Sequence, residues 1–119
     1  MTAVDTTWQA LCPEAEFPED GKLAKELGGW SVLAVRAEDG FHVFNDRCTH
    51  QAAQLSPGRV RRGAIMCPLH GARFEVGTGR CIGGAHADLR RFDLRIADGM
   101  IEVALPAAAP GPHERPVSA

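Results

Sequence analysis

An all-β fold is predicted for this chain of 119 residues. Three features point to it: short apolar and β-branched runs, Gly- or Asp-bearing turns between them, and no segment with sustained helical periodicity. Thr7 to Cys12 reads as the first strand and Lys22 to Leu27 as the second. The acidic, Pro-containing stretch between them, Pro13 to Gly21, has room for one helical turn. Trp30 to Arg36 is rich in β-branched and aromatic residues and is followed by Glu38-Asp39-Gly40 and then Phe41 to Asn45. That pair is the clearest hairpin in the chain. A second hairpin is expected from Arg90 to Ile96 and Met100 to Leu105, joined through Ala97-Asp98-Gly99. Alternation of Phe92, Leu94 and Ile96 assigns those three to its inward face.

Length and composition bound the function. A chain this short forms one domain and buries roughly 65% of its unfolded surface, enough for one modest core. Hydrophobic residues at 45% and charged residues at 24% are ordinary for a globular protein. No apolar run approaches the roughly 20 residues of a membrane helix. Met1 to Thr7 has neither a basic segment nor an apolar one, so no export signal is expected and the setting is read as cytoplasmic.

The formal net charge of −2 conceals a division along the chain. Residues 1–46 hold nine acidic and three basic side chains, whereas residues 47–96 hold nine Arg and three acidic ones. Dispersed, solvated Arg is the plain reading of the second block. A face that steers an acidic partner is the sharper one. No nucleic-acid motif accompanies the Arg residues.

Residues 47–88 differ in texture from the flanking hairpins. They contain Gly58, Gly63, Gly71, Gly77, Gly79, Gly83 and Gly84, together with two Cys-His motifs: Cys48-Thr49-His50 and Cys67-Pro68-Leu69-His70-Gly71. Turns explain some of these Gly, but Gly also permits the close backbone approach of a loop wrapped on a cofactor. Four Cys allow two disulfides in principle; a cytoplasmic setting and the nearby His argue against them. Singly, a Cys-x-His is ordinary packing. Together, each pair offers one thiolate and one imidazole from a tight loop. A [2Fe–2S] cluster with two Cys on one iron and two His on the other requires that donor set. Zinc also takes two Cys and two His, but finger-type spacing pairs Cys with Cys and His with His.

These motifs, with Ala72-Arg73-Phe74, Thr78-Gly79-Arg80 and Leu55-Ser56-Pro57-Gly58, resemble the Rieske-type ferredoxins of bacterial ring-hydroxylating dioxygenase systems. The resemblance covers about residues 7–105. It implies a Rieske fold: an antiparallel β-sheet basal domain carrying an inserted cluster-binding subdomain, here about 46–88. The domain is expected over residues 1–105, with the Pro/Ala-rich segment 106–119 as a disordered tail. It also implies one Rieske [2Fe–2S] cluster on Cys48, His50, Cys67 and His70, with both His near solvent at the tip.

What the resemblance implies for function is one-electron carriage, from a flavin-containing NAD(P)H-dependent ferredoxin reductase to a terminal oxygenase. The chain is expected to act as a monomer, with no membrane or nucleic-acid partner. Gln51, Ala52, Leu69 and Ala72 would surround the two His as a small contact patch. The chain is not expected to be the oxygenase, because His42, His86 and His113 are poorly placed for a site of two His and a carboxylate. The alternative is a Rieske-like small subunit of a reductase such as nitrite reductase. Cys12 and Cys81 read as partly buried thiols, His86 as a loop residue, His42 as an outward strand residue, and Trp8 and Trp30 as core or sheet-face packing.

Subclass follows from absences. Respiratory Rieske proteins carry an extra Cys after each motif; the matching positions here are Ala53 and Leu69. Their potential-raising Ser and Tyr are matched by Ala72 and Phe74, and the chain contains no Tyr. The third loop, Cys81-Ile82-Gly83-Gly84-Ala85-His86, also lacks the family's usual Pro. Fewer hydrogen bonds to sulfur stabilise the added electron less. The potential is therefore expected near the low end of the Rieske range, roughly −150 mV. Voltammetry giving a value above about 0 mV would contradict this reading.

Overall fold

The computed structural model describes residues 6–49, 54–68, 72–82, 87–108 and 110. Ten strands form two antiparallel sheets among the described residues. In chain order they are β1 (Thr6–Pro13), β2 (Lys22–Leu27), β3 (Trp30–Ala37), β4 (Gly40–Asn45), β5 (Val60–Arg61), β6 (Ala64–Met66), β7 (Arg73–Glu75), β8 (Cys81–Ile82), β9 (Arg91–Ala97) and β10 (Met100–Pro106). Six pair in the order β1-β10-β9-β4-β3-β2, and the other four in the order β5-β6-β7-β8. A single 3-10 turn, Glu14–Glu16, occupies the acidic loop where one helical turn was expected. Among the described residues no helix is long and apolar enough to cross a membrane.

Strand β3 explains why there are two cores. Val32 and Ala34 point into one apolar cluster with Leu11, Trp30, Val43, Phe92, Ile101, Val103 and Leu105. Leu33 and Val35, on the other face, join a second cluster with Phe44, Leu55, Ile65, Phe74, Val76 and Leu89. A strand covered on both sides reads as an unbroken apolar run, which Val32 to Val35 is. Neighbouring β4 repeats the arrangement, with Val43 in the first cluster and Phe44 in the second. The smaller sheet thus packs on the outer face of the larger one. Strand β1 joins the first cluster through an irregularity between Ala10 and Cys12, where the intervening Leu11 drops into the core.

Two expectations need correction. Phe92 is buried and Leu94 half-buried, but Ile96 is 43% exposed. The cause lies in pairing: β9 meets β4 only at Val43–Phe92 and Phe44–Arg91, so among the described residues its far half has β10 alone as strand neighbour. The tail does not begin at 106. Strand β10 runs through Pro106, the Trp30 indole N–H donates to the Ala108 carbonyl at 3.1 Å, and Pro110 is buried. Residues 109 and 111–119, including His113, lie outside the described residues.

The smaller sheet is closed at β5–β6 by Arg62-Gly63, both with positive φ (52° and 77°), as a two-residue hairpin turn of the primed type requires. It seats against the turn Leu55 to Gly58 with almost no clearance. A Cβ on Gly58 would lie 1.9 Å from the Met66 carbonyl oxygen. Gly58→Ala is therefore expected to destabilise the fold by roughly 1–3 kcal/mol or more. Gly77→Ala, whose added carbon would meet nothing nearer than 3.8 Å, should stay within about 0.5 kcal/mol. Thermal melts of both variants check the pair; equal stability would contradict the packing at Gly58.

Candidate metal centre

Both proposed thiol donors lie in the second apolar cluster. Cys48 follows β4 after two residues, and Cys67 follows β6 directly. Each is fully buried, against Phe44, Leu55, Ile65 and Phe74 among others. Among the described residues no disulfide is formed. His50 and His70 lie outside the described residues, as do Gln51, Ala52, Ala53, Leu69 and His86. Among those described, no three His, Cys, Asp or Glu side chains gather as a metal site. The structure thus brings the two Cys into one cluster.

The first segment is aimed by its backbone. Asp46 N–H donates to the Ser31 carbonyl at 2.8 Å, extending the β3–β4 ladder by one residue. Arg47 N–H donates to the Asn45 carbonyl at 2.8 Å, a tight turn that directs Cys48 inward. The Thr49 hydroxyl then donates to the Ala87 carbonyl at 2.6 Å, tying this segment to the one that follows the third loop. In the second segment, Cys67 N–H donates to the Ala72 carbonyl at 2.7 Å, extending the β6–β7 pairing by one residue. Leu89, buried in the same cluster, donates its N–H to the Gly79 carbonyl at 2.7 Å.

Sequence reasoning missed Asp46 and Lys22. One oxygen of the buried Asp46 accepts from the backbone N–H of Leu55 (2.6 Å) and of Ser56 (2.8 Å). Lys22, on β2, donates its ammonium to the carbonyls of Ser56 (2.7 Å) and Gly58 (2.5 Å). The Leu55 to Gly58 turn is therefore held from below by an anion on its N–H groups and a cation on its carbonyls. Burial pushes the Asp46 carboxyl above its usual range, while hydrogen bonds from Ser56 and Leu55 and the nearby Lys22 charge draw it back. An Asp closing a strand is a weak turn signal. Its partners, nine and ten residues on, leave no pattern in the sequence.

The remaining candidates settle into structural roles. Burial raises the Cys12 thiol above its ordinary value, despite the opposing Lys25 charge, and Cys12 packs against the first core. Cys81 packs against the second, opposite Phe74 in register. His42 does not point freely outward. Its side chain is 13% exposed, Arg91 donates to Nδ1 at 3.2 Å, and Nε2 therefore carries the proton given to Asp39 at 2.8 Å. That hydrogen bond, with the imidazole beside it, lowers the Asp39 carboxyl below its usual range. Trp30 is core, edge-on to Phe92. Trp8 lies on the open sheet face under the Arg95 guanidinium, 4.1 Å from the ring centroid.

The donor chemistry suits an iron–sulfur cluster. A desolvated thiolate is costly unless a metal takes its charge. Two of them in an apolar cluster favour a soft, weakly charged metal core over a hydrated hard cation.

Comparison with known proteins agrees. Residues 7–93 match the family described as the Rieske [2Fe-2S] domain. The anthranilate 1,2-dioxygenase ferredoxin subunit of Burkholderia cepacia is 34% identical over 98 residues, spanning 81% of this chain and 90% of its own. The solved ferredoxin of carbazole 1,9a-dioxygenase from Nocardioides aromaticivorans superposes with a TM-score of 0.74 at 26% identity, covering 88% of this chain and 99% of that one. A ferredoxin solved in complex with its reduced oxygenase, in a carbazole 1,9a-dioxygenase system, gives 0.73 at 28% identity, covering 82% and 92%.

The clasp on the Leu55 to Gly58 turn yields a direct test. Asp46→Ala, which strands two N–H groups, is expected to cost roughly 2–4 kcal/mol. Asp46→Asn keeps an acceptor oxygen and should lose less than half of that. Denaturant titration of the two variants checks the order; equal losses would contradict the hydrogen-bonding role.

Proposed function

Because the chain belongs to the Rieske [2Fe–2S] domain family, we propose that it carries single electrons from an NAD(P)H-dependent ferredoxin reductase to a terminal aromatic-ring-hydroxylating oxygenase. The observation that supports this best is the pair of buried thiols, Cys48 and Cys67, presented by two segments to one apolar cluster. Cys48 and Cys67 would hold one iron, and His50 and His70 the other. When bound, such a cluster supplies a centre that takes up and gives back one electron.

The chain's own residues then have separable tasks. Leu55, Ile65, Phe74 and Val76 exclude water from the thiolate side. Asp46 and Lys22 fix the turn that covers it. Phe74, buried in that cluster, offers sulfur no hydroxyl at the position where the resemblance implies a Tyr in respiratory Rieske proteins, which supports a low potential. Residues 46–88 form the cluster-binding subdomain in this reading. His50 and His70, with Gln51, Ala52, Leu69 and Ala72 around them, would be the electron's point of entry and exit. A small, transient contact there suits repeated association and release. Cysteines without disulfides support a cytoplasmic setting. The ferredoxin subunits it resembles are electron-transfer components, and the chain is likewise a carrier and not an enzyme.

Reduction by a flavin-containing reductase with NAD(P)H, followed by reoxidation by an oxygenase, is the expected behaviour of the cluster-loaded protein. A stable stoichiometric complex with a reductase would instead favour the small-subunit reading. His70→Cys should lower the potential or abolish cluster binding. An unchanged spectrum and potential would remove His70 from the ligand set.

A further inference from the structure

The arginines that look dispersed in the sequence converge in the structure. On the outer face of the smaller sheet, cross-strand register places Arg61 beside Ala64 and Glu75, and Met66 beside Arg73 and Ile82. Arg59 and Arg62 flank this face from the adjoining turns. Together Arg59, Arg61, Arg62 and Arg73 line an open cleft of about 660 Å³ whose floor is Ala64, Met66 and Ile82. Met66 is 41% exposed, one of three large hydrophobic side chains left open to solvent among the described residues.

Among the described residues the positive charge is uncompensated: no carboxylate lies within ion-pair distance of any of the four guanidinium groups. Glu75, the acidic residue on this face, is already engaged by Arg80 (3.3 Å) and by the Thr78 hydroxyl (3.0 Å). Four exposed like charges around an apolar floor repel one another, and a partner bearing carboxylates relieves that repulsion. Position adds to the argument. Met66 immediately precedes Cys67 and Arg73 immediately follows Ala72, so the cleft borders the second Cys-His loop.

We propose that this cleft is a docking surface for an acidic protein partner, whose carboxylates meet the four arginines and whose apolar side chain covers Met66. Placing the contact beside the electron's exit rests on the carrier reading above; the charge complementarity does not. A protein fits better than single-stranded nucleic acid, because among the described residues no aromatic ring lines the cleft for bases to stack on.

The test uses the cluster-loaded protein and a 12-residue peptide of glutamates around a central leucine. Calorimetric titration at low ionic strength is compared with a 12-nucleotide single-stranded DNA and with inorganic phosphate. The peptide should bind best, and the double variant Arg61→Gln/Arg73→Gln should weaken it at least tenfold. Ala24→Glu, on exposed β2, changes charge elsewhere and should alter binding less than twofold. Absent peptide binding, equal binding by the double variant, or tighter binding of DNA or phosphate would overturn the proposal. Stopped-flow oxidation of the reduced protein by a terminal oxygenase separates the two readings. No electron transfer by the wild type defeats the carrier reading and leaves the peptide result to decide the docking surface. Transfer that the double variant does not slow defeats the proposal alone.

Discussion

Burial of β3 on both faces is the constraint on which the rest of the molecule depends. Val32 and Ala34 commit one face to the basal core, and Leu33 and Val35 commit the other to the core that holds Cys48 and Cys67. A one-residue slip in register would exchange the two sets and spoil both cores at once. That doubly defined register carries forward through β4, whose last residues deliver Asp46 and then Cys48. The position of the first candidate ligand segment is thus inherited from the strand pairing below it.

On that base, the smaller sheet is attached by a few specific contacts more than by extent. Strands β5 to β8 are two or three residues long and could not stand alone. Ile65, Phe74 and Val76 pack onto the outer face of β3 and β4, and the Asp46–Lys22 clasp fixes the intervening turn. The two cysteines are consequently side chains of a core as well as candidate ligands. Filling that core and binding a metal centre are coupled, since thiolates there need a metal to be tolerated.

The sequence carried the local features well. Hairpins at 30–45 and 90–105 announced themselves through turn residues and apolar runs, and the paired Cys-His motifs named the candidate ligands, of which Cys48 and Cys67 meet in one buried cluster. Contacts between distant positions were not legible. Lys22 reaches across 34 and 36 residues to Ser56 and Gly58, and nothing in either segment signals the other. Ile96 misled because period-2 alternation reports which face a side chain takes, while burial depends on whether a neighbouring strand extends far enough to cover it. His42 misled similarly: Arg91, 49 residues away, encloses it. The arginine cleft was visible only as a charge imbalance until register aligned Arg61 and Arg73 on one face.

Nitrogen coupling in the reduced, cluster-loaded protein, read by pulsed EPR with 15N-labelled histidine, tests the central claim most directly. Two distinct imidazole nitrogens coupled to the unpaired electron are expected, from His50 and His70. Iron held by four sulfurs with no nitrogen coupling would contradict the account, as would protein that stays iron-free after anaerobic cluster loading.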